Sequence, residues 1–132
     1  KAAAVADYTP VSVSDEKMKK KDGDLSIKLM RTKDILKDAG SKKKDTQVVC
    51  GFSMETCNML ENSKKKLLSK NCDMIVANNL KDEGAGFGVD TNKVTIIMED
   101  SVEELELMTK SQAGDKILDE AVLLWEKKNG GR

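Results

Sequence analysis

The sequence predicts an α/β fold, and two observations lead to that prediction. Short apolar runs suited to buried strands alternate along the chain with segments of helical periodicity, a pattern typical of layered α/β proteins. The chain has 132 residues, 39% of them hydrophobic, which suits one domain with a substantial core. We therefore expect a single domain over residues 1–132, built around a buried sheet.

The first predicted strand is the small apolar run Ala2–Ala6, which stops at Asp7 and Pro10. Because the run lacks polar alternation, we expect a central strand that is buried on both faces. A polar loop over about 11–24 follows and ends in a turn at residues 22–24. A chain that opens directly on a buried strand suggests a piece of a larger domain.

The next elements alternate between strand and helix. Residues 25–31 alternate apolar and polar side chains, which predicts a half-exposed strand. Thr32 is expected to cap a short helix that closes near Gly40. A buried strand, a helix and another buried strand are then predicted at residues 47–52, 55–70 and 73–78.

The C-terminal third predicts a hairpin followed by a long helix. Residues 94–98 and 105–108 read as strands joined by an acidic connection, which favours antiparallel pairing. Thr109 and Gln112 match a capping box at a helix start. Apolar residues then recur every four positions, so we expect one face to pack on the sheet with Trp125 as a packing anchor; these are Ala113, Ile117, Ala121 and Trp125.

Composition argues against several classes of function. The 23 basic residues balance the 23 acidic ones, and only 3% of residues are aromatic, so nucleic-acid binding is not expected. Apolar runs are far shorter than the roughly 20 residues that cross a bilayer, so no membrane role is expected. With no histidine, Ser-His and Cys-His nucleophiles are excluded. The three cysteines indicate buried or half-buried thiols in a reduced, cytoplasmic protein: Cys50, Cys57 and Cys72.

The glycine-rich stretch at residues 84–88 does not match a dinucleotide-binding motif. Its spacing is G-x-G-x-G, and a strand rather than a helix is predicted after it. A P-loop motif is also missing from the sequence. The stretch is either a flexible loop anchored by Phe87 or a loop whose glycines let backbone approach a ligand.

Asp7 and the lysines that follow it form the candidate chemistry. An aspartate at the carboxyl end of a parallel strand could hold Mg²⁺ against a phosphate, or simply cap a turn. Four lysines fall within residues 17–21, in a loop between predicted strands. A loop of this kind can close on a polyphosphate, although a solvated run of charge explains the same pattern.

A succession of motifs strongly resembles phosphopantothenoylcysteine synthetase, over residues 2 to about 127. The segments, in order, are A-A-A-V-A-D-Y-T-P, E-K-M-K-K, V-V-C-G-F-S-M-E-T, D-M-I-V-A-N and G-F-G-V-D-T-N. The resemblance implies a Rossmann-like three-layer sandwich with a mostly parallel sheet and a C-terminal antiparallel hairpin, truncated at its N-terminal side. It makes the chain the C-terminal portion of a synthetase domain, with a mobile lysine loop at about 11–24.

The resemblance also implies a ligase of coenzyme A biosynthesis. Such enzymes join 4′-phosphopantothenate to L-cysteine through an acyl-nucleotidylate, with CTP as the expected co-substrate and Mg²⁺ or a similar cation. The family implies a cytoplasmic homodimer, to which the hairpin around residues 94–108 could contribute. FMN is expected only in a fused decarboxylase half and not in this chain. The alternative is a non-catalytic nucleotide-binding module or an inactive fragment of the enzyme.

Site residues follow from the family motifs. Lysines at the K-x-K-K positions are expected to be catalytic, Lys17 above all: Lys17, Lys19 and Lys20. Nucleotide contacts are expected from Lys17 and from five further positions, with Asp7 also the metal ligand: Ala3, Ala4, Ala6, Asp7 and Phe52. One departure is that the family's A-N-D sequence reads Ala77-Asn78-Asn79 here, which removes a carboxylate.

Overall fold

The computed structural model describes residues 5–20, 22–79, 81, 84–85 and 88–130. The backbone divides into two compact units, an N-terminal unit that runs to Ile35 and a C-terminal unit that starts at Leu36. The expectation of a single domain therefore stays a prediction. In chain order, the elements are β1 (Tyr8–Pro10), β2 (Leu29–Arg31), α1 (Ile35–Lys42), β3 (Cys50–Glu55), α2 (Met59–Ser69), β4 (Met74–Asn79), β5 (Thr91–Asn92), β6 (Thr95–Ile97), β7 (Val102–Glu104), β8 (Met108–Thr109) and α3 (Lys110–Asn129).

The N-terminal unit is built on a two-stranded antiparallel ladder, β1 with β2. At one end of the ladder, the Val11 N–H donates to the Lys28 carbonyl at 3.0 Å and closes the long connection between the strands. At the other end, the Thr32 N–H donates to the Asp7 carbonyl at 3.0 Å. The Thr32 hydroxyl donates to the Ala6 carbonyl at 2.6 Å. Thr32 thus holds together the end of the ladder at which β1 starts and β2 ends.

Three predictions for this region are wrong in detail. Ala2 to Ala4 lie outside the described residues. Val5 and Ala6, the rest of that predicted strand, are exposed rather than buried, and the first strand among the described residues starts at Tyr8. Pro10 is tolerated in β1 because both strands of a two-stranded ladder are edge strands. On the unpaired side of such a strand, no backbone N–H is needed for pairing. The strand expected at 25–31 shortens to three exposed residues. Thr32 caps no helix, because its hydroxyl is used at the ladder and α1 begins at Ile35.

The C-terminal unit contains a four-stranded sheet with the order β3-β4-β6-β7. The β3–β4 pair is parallel, and α2 crosses over between the two strands. The other two pairings are antiparallel, so the sheet is mixed rather than mostly parallel. Within the described part of the chain, a helix connects neighbouring strands only in β3–α2–β4, and a parallel pair needs such a crossover. A tight turn joins β6 to β7.

Helices cover both faces of this sheet, which confirms the three-layer α/β architecture. On one face, a core that includes Met74, Val76 and Ile96 packs against Ile117, Ala121 and Leu124 of α3. On the other face, buried residues that include Ile75 and Ile97 pack against Leu36 of α1 and against Met59 and Leu67 of α2. No helix among the described residues is long and apolar enough to span a membrane.

The predicted hairpin is present, but its second strand is earlier than expected. β7 occupies Val102–Glu104 instead of 105–108, because the turn is short and the Met98 N–H already donates to the Ser101 carbonyl at 2.9 Å. All three residues of β7 are exposed, so the strand carries no apolar alternation. Leu105 is instead a buried core residue, and Met108 pairs in β8 with β5.

The capping box of α3 is confirmed. The Gln112 N–H donates to the Thr109 hydroxyl at 3.2 Å, and the Thr109 N–H donates to the Gln112 side-chain oxygen at 3.0 Å. Ala113 is buried, which agrees with the predicted packing face. Trp125 is 49% exposed and lines an open groove of about 600 Å³, so within this unit it is not a buried anchor.

Candidate functional site

Asp7 and the lysine loop are set apart along the β1–β2 ladder. Asp7 is exposed and immediately precedes β1, whereas Lys17, Lys19 and Lys20 are exposed residues of the connection that starts at the far end of the ladder. Extended backbone separates Asp7 from Val11 by about 13 Å. Lys17 lies six residues further on and can reach about 20 Å from Val11. The connection is therefore long enough to fold back along the ladder.

Two of the predicted nucleotide-binding positions cannot be placed. Ala3 and Ala4 lie outside the described residues, so their predicted contacts stay predictions. Ala6 is exposed, and its carbonyl accepts the Thr32 hydroxyl. The Ala6 carbonyl is therefore partly committed to holding the ladder.

Asp7 suits a metal that is held mainly by a substrate. Over the part of the chain that the structure describes, no three acidic or cysteine side chains are grouped so as to hold a metal ion. In nucleotide enzymes Mg²⁺ commonly takes one or two carboxylates from the protein and completes its shell with phosphate oxygens and water. A single aspartate is enough for that arrangement. It would not be enough for a metal site whose ligands all come from the protein.

Phe52 lies in the middle of β3, the strand that pairs in parallel with β4. Its side chain is 68% exposed, and its pairing partner across the ladder is Val76. Met54, two residues further along the same face, is 47% exposed. Ligands of open α/β sheets gather at the carboxyl ends of parallel strands. The exposed Phe52 ring lies on the strand that leads to this edge, and its contact with a nucleotide stays a prediction.

A polar cluster occupies the opposite face of β3, and we call its four residues the Glu55 cluster: Ser53, Glu55, Asn62 and Lys66. The Ser53 hydroxyl donates to Glu55 Oε1 at 2.8 Å and accepts from Lys66 Nζ at 2.8 Å. Lys66 Nζ lies 3.4 Å from Glu55 Oε1, and Asn62 Nδ2 donates to Glu55 Oε2 at 3.2 Å. Both carboxylate oxygens of Glu55 therefore have donors.

Electrostatics keep Glu55 ionised within this cluster. The hydrogen bond from Ser53 holds the pKa of Glu55 below its ordinary value, with further help from Asn62 and Lys66 against the opposing effect of burial. The Lys66 side chain remains 32% exposed. The cluster thus presents a lysine, paired with a carboxylate, beside the carboxyl end of β3.

Sequence reasoning missed the Glu55 cluster. Residues 64–66 fall in the latter half of the helix predicted at 55–70, where lysines suit the helix dipole, and no role is predicted for Ser53 or Glu55. The signal is the strand alternation: Gly51 and Ser53 point inward, which places Glu55 on the same side and beneath α2. A charged residue on an inward face requires a partner, and Lys66 is the lysine of the run that turns toward the sheet.

The cysteines offer no activated nucleophile at β3. Burial, together with the nearby Cys72, raises the pKa of the Cys50 thiol to about 11, so this thiol stays protonated at neutral pH. Cys50 and Cys72 are half-buried, as predicted. Cys57 is exposed, so the prediction of a buried thiol is wrong there, because the residue falls in the loop between β3 and α2.

The glycine-rich loop is tied at its described ends. Gly84 and Gly88 have φ angles of 77° and 76°, which favour glycine. The Thr91 hydroxyl donates to the Gly84 carbonyl at 2.7 Å. Gly86 and Phe87 lie outside the described residues, so both interpretations of this loop remain open.

Comparison with known proteins decides the family. The family model for the DNA/pantothenate metabolism flavoprotein C-terminal domain matches residues 1–124, which span both units. The chain belongs to this family. The resemblance drawn from the motifs is thereby confirmed.

Relatives in the family match the chain along most of its length. It is 50% identical over 133 residues to the coenzyme A biosynthesis bifunctional protein CoaBC of Bacillus subtilis strain 168, covering 100% of this chain and 32% of that protein. It is 46% identical over 118 residues to a cysteine/cysteine sulfinic acid decarboxylase of an unknown prokaryotic organism, covering 89% and 33%. The chain thus spans about a third of the length of the curated relatives it matches.

A solved structure of the family confirms the fold. The chain superimposes on the C-terminal domain of a coenzyme A biosynthesis bifunctional protein CoaBC with a TM-score of 0.71 and 38% sequence identity. The match covers 95% of this chain and 53% of that domain. The α/β class predicted from the sequence is therefore the fold of the family.

Proposed function

We propose that this chain is the ligase portion of a coenzyme A biosynthesis enzyme, and that it joins 4′-phosphopantothenate to L-cysteine. The observation that carries the proposal is the match along the whole chain, at 50% identity, to a bifunctional protein of coenzyme A biosynthesis. The α/β fold supports it, because nucleotide-dependent chemistry suits the carboxyl edge of such a sheet.

The proposed reaction has two steps. A carboxylate oxygen of 4′-phosphopantothenate attacks the α-phosphorus of CTP, and pyrophosphate leaves as the acyl-cytidylate forms. The cysteine amine then attacks the acyl carbon, the C–O bond to the nucleotide breaks, CMP leaves with that oxygen, and the amine proton passes to solvent. Because negative charge develops on the phosphates, catalysis depends mainly on positioning and on cationic donors.

Roles are proposed for residues of each unit separately. In the N-terminal unit, Lys17, with Lys19 and Lys20, neutralises the triphosphate, and Asp7 would hold Mg²⁺, which would supply further positive charge for the phosphates. In the C-terminal unit, Phe52 packs against the nucleotide base. Exposure of all five side chains supports these roles, since each is accessible to a ligand.

Lys66 is a further candidate for a phosphate contact. A lysine ammonium has three N–H donors, and the described residues provide acceptors at Ser53 Oγ and Glu55 Oε1. A third donor remains for an anion at the carboxyl edge of β3. Lys66 is therefore proposed as a phosphate contact within the C-terminal unit.

The wider assignments rest on the family resemblance. They are a cytoplasmic location, a homodimer, and an FMN-dependent decarboxylase half outside this chain. Glu103 and Glu104 on the edge strand β7 disfavour edge-to-edge pairing, so this strand edge does not itself support the dimer. The second candidate function, also taken from the family resemblance, is a nucleotide-binding module without turnover.

The test uses two proteins: this chain alone, and the Bacillus subtilis relative with this chain in place of its matched third. Each is incubated with 4′-phosphopantothenate, Mg²⁺, cysteine and either CTP or ATP. We expect the exchanged protein to release pyrophosphate and form the amide in equal amounts, faster with CTP. If the unmodified relative is active and the exchanged protein binds nucleotide without turnover, the ligase proposal fails and the binding module stands.

A further inference from the structure

We propose that Glu55 is a positioning residue, which holds the Lys66 ammonium in place for the nucleotide phosphates. The inference rests on the proposed function, and it assigns a role to a residue outside the predicted site. Glu55 is the last residue of β3, beside the end of the parallel pair with β4. Its carboxylate therefore lies at the edge of the sheet where ligands of such folds bind.

The carboxylate joins two elements through one face of α2. Asn62 and Lys66 are four residues apart and lie on the same helical face, and both donate to Glu55. Asn62 also donates to the Cys57 carbonyl at 3.2 Å, within the loop between β3 and α2. Through these bonds, Glu55 holds the first turns of α2 and the loop before this helix against the end of β3. It also holds the Lys66 ammonium group there.

Lys66 needs such a partner to be useful to a ligand. Its four-carbon stem is flexible, and an unrestrained ammonium samples many positions in water. With Ser53 at 2.8 Å and Glu55 at 3.4 Å, its nitrogen is held near the last residues of β3 while the side chain stays a third exposed. A donor that is positioned before the ligand arrives binds phosphate at a smaller entropic cost.

A neighbouring ion pair has the same chemistry without this geometry. Lys65 Nζ lies 2.7 Å from Glu61 Oε1, but both belong to α2 and their side chains are 70% and 65% exposed. That ion pair lies within α2 and does not connect this helix to a strand. It therefore serves as a matched control, because removing its carboxylate leaves the Glu55 cluster intact.

The test is a double-mutant cycle in the exchanged protein, with Glu55→Gln, Lys66→Gln and both changes together. The readouts are the nucleotide KM, kcat, and the Kd of the Mg²⁺-nucleotide complex, with thermal midpoints to check folding. We expect Glu55→Gln to raise nucleotide KM and Kd about tenfold with kcat nearly unchanged. Lys66→Gln should do at least as much, and the double variant should match Lys66→Gln, because Glu55 acts through that lysine. Glu61→Gln should leave all values unchanged.

The outcomes separate the inference from the ligase proposal. Unchanged affinity in Glu55→Gln, or effects of the two changes that simply add, would overturn the positioning role while turnover continues. If the unmodified protein binds nucleotide without turnover, the ligase proposal fails, and the cycle is still decided by Kd. A protein that binds no nucleotide overturns both.

Discussion

Among single residues, Lys17 carries the largest predicted effect on turnover. It is exposed in the connection between β1 and β2, so its removal should not disturb folding. We predict that Lys17→Gln in the exchanged protein lowers kcat by about a hundredfold, the loss typical of one preorganised donor. Initial rates of pyrophosphate release, compared with the unmodified protein, measure it.

The matched control for Lys17 is Lys64→Gln. Lys64 is an exposed lysine on α2, outside the Glu55 cluster. Its removal subtracts the same charge but should leave the rate within twofold. Equal losses in the two variants would mean that general charge, and not the position of Lys17, accounts for the effect.

Asp73, unlike Lys17, stabilises the fold and has no proposed part in the reaction. Its Oδ1 accepts from Lys128 at 2.6 Å and from Lys43 at 2.9 Å, while Oδ2 accepts the Val49 N–H at 2.8 Å. Burial opposes ionisation, but the hydrogen bonds from Lys128, Lys43 and Val49 outweigh it and lower the pKa of Asp73. This carboxylate therefore ties the end of α3 and the start of β3 to the start of β4.

We predict that Asp73→Asn destabilises the protein by about 3 kcal/mol near neutral pH, the low end for a broken buried ion pair. Because the pKa of Asp73 is lower in the folded state, its contribution is complete above the ordinary value of 3.8 and disappears as the pH falls through the lower folded value. Urea unfolding at pH 7 and pH 3 measures it. Asp73→Asn should reduce the difference between the free energies of unfolding measured at pH 7 and at pH 3. The exposed Asp100→Asn should leave that difference unchanged.

At the scale of elements, the packing of α1 depends on a glycine. A Cβ at Gly40 would lie 1.8 Å from the backbone oxygen of Lys70, and Asn71 Nδ2 already donates to the Gly40 carbonyl at 2.9 Å. The helix therefore contacts the turn between α2 and β4 backbone to backbone. No side chain fits between them.

We predict that Gly40→Ala costs at least about 2 kcal/mol, because the methyl group must push backbone apart. Gly114 is the matched control: it is also helical, and a Cβ there would meet no atom within 4 Å. Gly114→Ala should raise stability by about 0.5–1 kcal/mol through helix propensity. Urea midpoints of the two variants should shift in opposite directions. A neutral Gly40→Ala would contradict the close contact.

Elements with strong local signals could be predicted from the sequence. The capping box at Thr109 depends on neighbouring residues and is confirmed. The predicted packing face of α3 is confirmed at Ala113, Ile117 and Ala121 and is wrong at Trp125. The edge strand β7 could not be predicted, because its exposed glutamates carry no strand alternation. The prediction that Thr32 caps a helix is wrong, because its hydroxyl donates to the Ala6 carbonyl, 26 residues away in the sequence.

The candidate site shows the same division. Phe52 and the lysine loop could be identified because the family motifs name their positions, and they stay predictions as functional residues. The Glu55 cluster could not, because Glu55 and Lys66 meet only when α2 folds back over β3. Contacts between residues that are far apart in the sequence depend on the fold, so the pattern of neighbouring residues cannot predict them.

At the scale of the whole molecule, the proposed ligase function is supported by the family match over residues 1–124 and by the fold shared with a solved C-terminal domain of CoaBC. Both support one architecture, and neither identifies the nucleotide chemistry. The central claim is that the substrate carboxylate becomes bonded to the α-phosphorus of the nucleotide. Oxygen transfer reports that bond directly.

The decisive measurement therefore uses 4′-phosphopantothenate labelled with ¹⁸O in its carboxylate, with the exchanged protein, CTP, Mg²⁺ and cysteine. The proposed chemistry predicts one labelled oxygen in each CMP released, as read by mass spectrometry, and none in the pyrophosphate. Amide formation with unlabelled CMP, or with label in inorganic phosphate, would contradict it.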